Sequence, residues 1–376
     1  MNVGEFRAQF PAAQRAPYFA TNGYGLLPIA ARDAVVEAVG RLTDRGYPAH
    51  ARYERNVDVV RSQLASFIGA RDDEVGFVRN TADGMGFAAE SLPFDPDDEV
   101  VVFDGDYGTV VYPFLARERR GELRLRVHPA PPDGVVTPEG VLDAIGPRTR
   151  AVALSWVRFD NGARSDVAAI GAVCRDRGVW SIVDAIQGLG VFPIDVRDAG
   201  IDVLAAGSHK WQCGLAGVGV LYVDRARFVE LRVTRAGLDA FEHPADYLTT
   251  GYPFAPHQSV RRVEDGAKPE VAIGALGESI ALLAAIGDGV PAQVQAVTDA
   301  LCAGFVARGG QVRSPRNDAS WSGIVLLEPP PGVDVDALCG SLIASGAMLG
   351  TRDGALWIGA HAYTNLDDVE AVLNAL

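Results

Sequence analysis

The sequence predicts an α/β protein built on a mostly parallel, doubly wound sheet. Short, continuous apolar runs recur along the chain, and patterns typical of amphipathic helices separate them. Strands buried on both faces have such uninterrupted runs, and strands that alternate with helices form parallel sheets. The seven predicted strands of the large sheet are residues 74–78, 100–103, 123–127, 151–155, 181–183, 203–205 and 218–223.

The elements between and beyond these strands support the same fold. Val167–Arg177 has the pattern of a helix connecting two parallel strands, whereas residues 218–223 follow a Gly-rich turn and are predicted to run antiparallel. Residues 271–286 form a long helix with an apolar face, and short strands alternate with helices after it. We therefore predict three parts: residues 1–17 as an N-terminal segment packing on the small domain, 18–250 as the large domain, and 251–376 as a small C-terminal α+β domain.

Composition excludes several classes of function. The 376 residues carry 34 basic and 48 acidic side chains, a formal charge of −14, which argues against a nucleic-acid or anionic-membrane partner. The N-terminus lacks the basic start and apolar core of a secretion signal, and no window has eighteen uninterrupted apolar residues, so we expect a cytoplasmic protein. The four cysteines are scattered without a C-x-x-C pair, which supports neither a metal site nor a disulfide framework.

An acid and a lysine each follow a predicted strand. Asp184 comes directly after the run 181–183, and Lys210 follows the run 203–205. Open α/β sheets bind ligands at the carboxyl ends of their strands, where both side chains are expected. Pyridoxal phosphate needs this pair, because a lysine forms a Schiff base with it and an acid keeps its ring nitrogen protonated.

Motifs along nearly the whole chain then indicate a family. They are the segments Tyr18 to Gly23, Arg79 to Gly84, Asp106 to Thr109, Ser155 to Val157, Asp184 to Gln187, Ser208 to Lys210, Arg262 to Gly266 and His361 to Asn365. In their order and spacing they resemble those of the fold-type I pyridoxal-phosphate enzymes of the class V aminotransferase family. That group includes cysteine desulfurases, kynureninases, isopenicillin N epimerase-like proteins and hercynylcysteine sulfoxide lyases.

The resemblance implies a role for each residue of the cofactor site. Lys210 is expected to hold the cofactor and then to move protons at the substrate carbon, while Asp184 faces the ring nitrogen. Gln187 is expected at the phenolic oxygen and Tyr107 stacked on the ring. The phosphate is expected to bind at the helix that begins near Asp83. Its predicted ligands are Thr81, Ala82, Ser208 and His209.

One departure bears on the substrate. Many relatives clamp the substrate carboxylate with an arginine where this chain has Trp357, and an indole cannot replace a guanidinium in that role. Either the substrate has no carboxylate there, or another arginine binds it, or the carboxylate is the group that is lost. Alternatively, Trp357 is a core residue. The candidate substrate-binding residues are Arg352, Trp357, Arg158 and Asn22, with Arg164 as a further arginine.

Two further departures concern the reaction and the assembly. The loops that carry the attacking cysteine in desulfurases, around residues 314–322 and 349–354, contain no cysteine, which argues against persulfide formation. Gly266-Ala267 stands where relatives commonly have Gly-Thr, so a hydroxyl contact to the neighbouring subunit's cofactor is missing. The resemblance still implies a homodimer.

Three functions remain open at this point. The leading hypothesis is a lyase acting at the amino-bearing carbon of a small amino-acid-like or cysteine-S-conjugate substrate, by C–S β-elimination or by decarboxylation with loss of the amine, in natural-product biosynthesis. The second is a class V aminotransferase. The third is a non-catalytic scaffold that kept the fold, which intact Asp184, Gln187, His209 and Lys210 argue against.

Overall fold

The computed structural model describes residues 1–242 and 254–376. Its strands are β1 Val75–Val78, β2 Glu99–Phe103, β3 Arg124–His128, β4 Thr149–Ser155, β5 Trp180–Asp184, β6 Val203–Gly207, β7 Gly219–Val223, β8 Gln311–Val312, β9 Ile324–Glu328, β10 Gly350–Arg352 and β11 Ala355–Gly359. Its helices are α1 Val3–Ala8, α2 Ile29–Arg45, α3 Tyr47–Ile68, α4 Thr81–Ser91, α5 Gly108–Arg119, α6 Pro138–Ala144, α7 Val167–Arg177, α8 Arg225–Phe228, α9 Glu270–Ile286, α10 Gly289–Val306, α11 Val335–Ala344 and α12 Leu366–Asn374.

The large sheet has seven strands in the order β1-β7-β6-β5-β4-β2-β3. Strands β2 to β6 pair in parallel, and β7 runs antiparallel to both of its neighbours. The predicted α/β fold class with a seven-stranded, mostly parallel sheet is therefore confirmed, including the antiparallel strand after the Gly-rich turn.

Burial on both faces explains the continuous apolar runs. Along β5 and β6 every residue is buried. Val183 and Leu204 belong to the core cluster on one face of the sheet, whereas Ile182, Val203 and Ala205 belong to the cluster on the other face. Because neither face of these two strands meets water, their apolar runs are nearly continuous, and the charged residue of β5, Asp184, is its last.

A second, four-stranded antiparallel sheet has the order β10-β11-β9-β8. The hairpin between β10 and β11 turns at Asp353 and Gly354, whose φ angles of 49° and 76° suit an Asp-Gly two-residue turn. In its register Gly350 lies opposite Trp357, so Arg352, two residues further along β10, shares a face with Trp357. This hairpin delivers both side chains to the large sheet's strand ends.

The N-terminal segment contacts residues near the C-terminus. Arg7 forms an ion pair with Asp368 at 2.6 Å, and the ring of Phe10 lies 4.8 Å from that of Tyr363. The predicted division between residues 250 and 251 lies outside the described residues, so the three-part organisation stays a prediction. No single helix in the described ranges is long and apolar enough to cross a membrane; α9 and α10 qualify only as a pair bent by 78°.

Candidate active site

The ends of β4, β5 and β6 surround a cavity of about 500 Å³. Asp184 is the last residue of β5, and Lys210 follows the end of β6 by three residues. Both side chains line the cavity, whose volume is typical of small-molecule sites. The two residues with the strongest sequence signal thus share one site.

Burial changes the charge preferences of this pair. The Asp184 side chain is almost fully buried and accepts a 3.0 Å hydrogen bond from the Ile186 backbone N–H, yet desolvation raises the pKa of its carboxyl to about 7. Desolvation also lowers the pKa of Lys210, against the attraction of the Asp184 charge. A lowered pKa leaves more of the Lys210 amine neutral, which is the form that acts as nucleophile and base.

The N-terminus of α4 forms the anion-binding end of the cavity. Asn80 caps the helix by accepting from the Asp83 N–H, and Thr81 and Ala82 at its first turn line the cavity. The Thr81 oxygen accepts from the Gly207 N–H at 2.8 Å, which leaves the hydroxyl hydrogen for a ligand. His209 also lines the cavity. Helix N-terminal N–H groups with hydroxyl and imidazole donors suit a phosphate.

Ser208 does not join this group, which corrects the sequence prediction. Its side chain is fully buried, and its hydroxyl lies 2.8 Å from each of the carbonyl oxygens of Leu215 and Val218. A buried hydroxyl needs a local partner, and these carbonyls supply it. Ser208 therefore holds the turn between β6 and β7 instead of facing the cavity.

Gln187 and Asn22 close the buried floor of the cavity. The Gln187 side chain accepts from the Trp211 indole N–H at 2.6 Å and donates to the Asn22 carbonyl at 3.1 Å. The Nδ2 of Asn22 is buried and has no hydrogen-bond partner within the described parts of the chain. A buried donor left in this way at a cavity wall indicates an acceptor on a bound group. Together with the anion-binding end and the Asp184–Lys210 pair, it fits pyridoxal phosphate.

Tyr107 lies at the mouth of the cavity and is 47% exposed. Asp106 fixes the backbone at this point, because its carboxylate accepts from the Tyr107 N–H at 2.7 Å and from the Ser155 hydroxyl at 2.6 Å. The Tyr107 ring meets Phe159 edge to face, with centroids 4.8 Å apart. The exposed ring face at the mouth is compatible with the predicted stacking.

Of the three candidate arginines, one lines the cavity and two do not. Arg352 and Trp357 line the cavity, whereas Arg158 does not: it is buried, pairs with Asp160 at 2.8 Å and donates to the carbonyls of Asp104 and Gly105. The predicted substrate contact of Arg158 is therefore wrong, because its donors hold loops together. Arg164 is likewise bound to the Asp318 and Trp321 carbonyls. Trp357 combines both predicted positions, because it is partly buried against a hydrophobic core cluster and also lines the cavity.

Phe159 is a cavity residue that the sequence reasoning missed. Ser155, Val157 and Phe159 all line the cavity, spaced by two residues as an extended chain places them. This spacing from Ser155, which belongs to one of the matched motifs, was the signal by which the sequence could have identified Phe159. Ile186 and Thr109 line the cavity as well.

Gly25 positions the lysine segment, and its replacement should be costly. The Gly25 N–H donates to the His209 carbonyl at 2.8 Å, and a Cβ at this position would overlap the Lys210 carbonyl. We expect Gly25→Ala to displace Lys210 and to lower cofactor affinity at least about tenfold, the equivalent of ~1.4 kcal/mol. Titration of the cofactor-free protein with pyridoxal phosphate measures this. Gly40→Ala, where a Cβ meets open space, is the control; equal affinities in the two variants would contradict the prediction.

The sequence contains only two lysines, Lys210 and Lys268. Lys268 lies outside the cavity and pairs with Asp239 at 3.1 Å. Lys210 is therefore the only ε-amine at the site. In the two described ranges, no three His, Cys, Asp or Glu side chains are grouped so as to hold a metal ion.

Comparisons with known proteins agree with this geometry. The sequence model of the family described as aminotransferase class-V matches residues 35–319. A probable cysteine desulfurase from Methanothermobacter thermautotrophicus is 35% identical over 181 residues, 48% of this chain and 45% of the relative. An isopenicillin N epimerase from Streptomyces clavuligerus is 27% identical over 332 residues, 84% of this chain and 82% of the relative.

The similarity extends to solved structures. The structure of a cysteine desulfurase from Thermococcus onnurineus NA1 superposes with a TM-score of 0.88 at 21% identity, covering 100% of this chain and 97% of that one. At this identity the superposition shows the fold alone. The first of the sequence relatives is matched over less than half of its own length, so the sequence comparison with it leaves activity open.

Proposed function

This chain belongs to the class V aminotransferase family of pyridoxal-phosphate enzymes, and on that premise we propose that it is a lyase that cleaves a C–S bond of an amino-acid-like cysteine conjugate. The observation that carries the proposal is a buried lysine amine in a cavity that no thiol of the chain reaches. When bound, pyridoxal phosphate supplies an electron sink for negative charge at the amino-bearing carbon.

The chain's own residues would hold this cofactor as follows. Lys210 provides the amine for covalent attachment, and Asp184 places its carboxylate at the ring nitrogen, where a positive charge offsets the cost of burying the carboxylate. The first turn of α4 binds the phosphate with the Thr81 hydroxyl and His209. Gln187 and Asn22 retain amide N–H groups for oxygen atoms of the cofactor or substrate.

The state of the cysteines favours elimination over persulfide formation. All four cysteines of the sequence, Cys174, Cys213, Cys302 and Cys339, are buried, and none lines the cavity. Burial raises the pKa of Cys174 to about 12 and that of Cys302 to about 11, and it also raises the pKa of the other two thiols. A desulfurase thiol must attack as a thiolate. This chain offers none at the site.

Because bound pyridoxal phosphate would supply the electron sink, elimination requires from the chain itself a base at the substrate Cα. The neutral Lys210 Nζ takes the Cα proton, the electrons of that C–H bond form a Cα–Cβ double bond, and the C–S bond breaks with its electrons leaving on sulfur. The proton held by Lys210 then passes to the sulfur, which gives a thiol and an enamine and restores the neutral amine. Water converts the enamine to an oxo acid and ammonia. Arg352 is the arginine placed to hold the substrate carboxylate during these steps.

Product analysis tests this proposal. Holoenzyme incubated with S-methyl- and S-benzyl-cysteine is expected to release thiol and pyruvate in equal amounts, with no carbon dioxide, and Lys210→Ala should release neither. Carbon dioxide release matched to substrate consumption would show a decarboxylase instead. Accumulation of pyridoxamine phosphate without thiol would show an aminotransferase, and either result contradicts C–S cleavage.

A further inference from the structure

Part of the cavity wall is aromatic. Phe159 and Trp357 are both partly exposed there, and we call them the aromatic wall. The Trp357 indole N–H donates to the Phe159 carbonyl at 3.0 Å, which fixes the indole against the loop after β4. Its only polar hydrogen is thereby used, so the wall offers a ligand flat apolar surface and no donor.

The small sheet places a glycine opposite this indole. Residue 350, which faces Trp357 across the β10–β11 pair, is glycine, and a Cβ placed there would lie 3.9 Å from the indole. Trp357 is partly buried against a hydrophobic core cluster and also lines the cavity, where a substrate group can pack on its ring.

A cation already occupies the wall. The Arg352 guanidinium lies 4.2 Å from the Phe159 ring centroid and 5.9 Å from that of Trp357. Among the residues that the structure describes, its buried Nε has no hydrogen-bond partner, and Asp353, an exposed residue, approaches it only to 3.4 Å. The two rings therefore hold the Arg352 guanidinium where it can donate to an incoming anion. Because the rings already bind this cation, they attract a second cation less strongly.

Resting on the lyase proposed above, we infer that the substrate carries a flat, uncharged apolar group on its sulfur, packed on Phe159 and Trp357, and presents its carboxylate to Arg352. Cationic sulfur substituents are disfavoured, because Arg352 would repel a second positive charge at the same rings. The substrate class is thus an S-aryl or S-arylalkyl conjugate of cysteine, distinct from conjugates that carry a quaternary ammonium group.

Ligands without an amine test this inference independently of turnover, because they cannot bond to the cofactor or react. Calorimetry on the holoenzyme would compare 3-(benzylsulfanyl)propanoate with its primary amide, with 3-(methylsulfanyl)propanoate, and with the analogue whose sulfur carries a 2-(trimethylammonio)ethyl group. We expect the benzyl acid to bind at least about tenfold more tightly than each of the others, a difference of ~1.4 kcal/mol.

Variants then assign the preferences to residues. Arg352→Gln should make acid and amide bind equally while the preference for benzyl over methyl remains. Trp357→Leu and Phe159→Leu, which keep apolar volume without flat rings, should reduce the benzyl preference while the acid preference remains. Arg32→Gln, an exposed arginine paired with its neighbour Asp33, is the matched control and should change neither.

Three results would overturn the inference: no binding of the benzyl acid to the wild-type holoenzyme, an acid preference that survives Arg352→Gln, or equal binding of the benzyl and cationic acids. Since these ligands do not react, the binding pattern can hold even if no thiol is released in the product assay. In that case the lyase proposal fails and the assignment of the aromatic wall stands. Thiol release with unchanged binding in all the variants would support the lyase and contradict the role of the aromatic wall.

Discussion

Lys210→Ala is expected to lower turnover by about 10³-fold or more, because the variant lacks both the amine that holds the cofactor and the base at the substrate carbon. Borohydride reduction followed by peptide mass spectrometry should find the cofactor on the peptide containing residue 210 of the wild type and on no peptide of the variant. The fold should be retained, since Lys210 contributes to a cavity wall and not to the core.

The presence of only two lysines makes a matched control available. Lys210→Arg and Lys268→Arg make the same chemical change, and each keeps the positive charge while removing the primary amine. Lys268→Arg should retain turnover and the borohydride adduct, whereas Lys210→Arg should lose both. An adduct on residue 268, or turnover retained by Lys210→Arg, would show that Lys210 is not the residue that holds the cofactor and acts as the base.

Asp184→Asn is expected to stabilise the cofactor-free protein at pH 8 and to weaken cofactor binding. Burial raises the pKa of Asp184 to about 7, so between pH ~4 and ~7 the folded chain keeps a proton that the unfolded chain has released. The stability of the wild type therefore falls as pH rises through this window, and the asparagine variant lacks that loss. The variant should be more stable at pH 8 by up to about 4 kcal/mol, and the difference should vanish toward pH 4.

Denaturant unfolding of the cofactor-free proteins at several pH values measures this effect. Asp202→Asn is the control, because burial raises the pKa of Asp202 to about 6 although its carboxylate, which accepts from the Ser181 N–H at 2.8 Å, lies at the opposite end of the strands. That variant should show a similar dependence of stability on pH with cofactor affinity unchanged. A destabilised Asp184→Asn at pH 8 would mean that the Asp184 charge is stabilised in the cofactor-free fold.

Residues of the site differ in how readily the sequence identified them. Asp184 and Lys210 were identifiable because each closely follows a continuous apolar run, and parallel strands bring their carboxyl ends to one edge. Ser208 belongs to the same motif as Lys210, yet its hydroxyl turns to carbonyls seven and ten residues further along the chain. A motif gives the position of a residue in the chain, whereas the direction of its side chain depends on which partners the turn provides.

The arginines show the same limit over longer distances. Nothing near Arg158 in the sequence marks it as bound to the backbone of residues 104 and 105, and nothing near Arg352 marks it as stacked on Phe159. These contacts join loops that are about fifty to two hundred residues apart. Asn22 reaches the cavity because the bridge between Ala20 and Gly359 brings the N-terminal segment to the second sheet.

By itself the sequence determined the fold class and the lysine–aspartate pair, because these depend on periodicity and on spacing along single elements. The resemblance of motifs along nearly the whole chain indicated the family. Only the tertiary structure decided which arginine lines the cavity, that Ser208 faces away from it and that Phe159 and Trp357 form one wall. Those outcomes depend on side-chain contacts between distant segments, where burial requires each polar group to find a partner that local sequence does not specify.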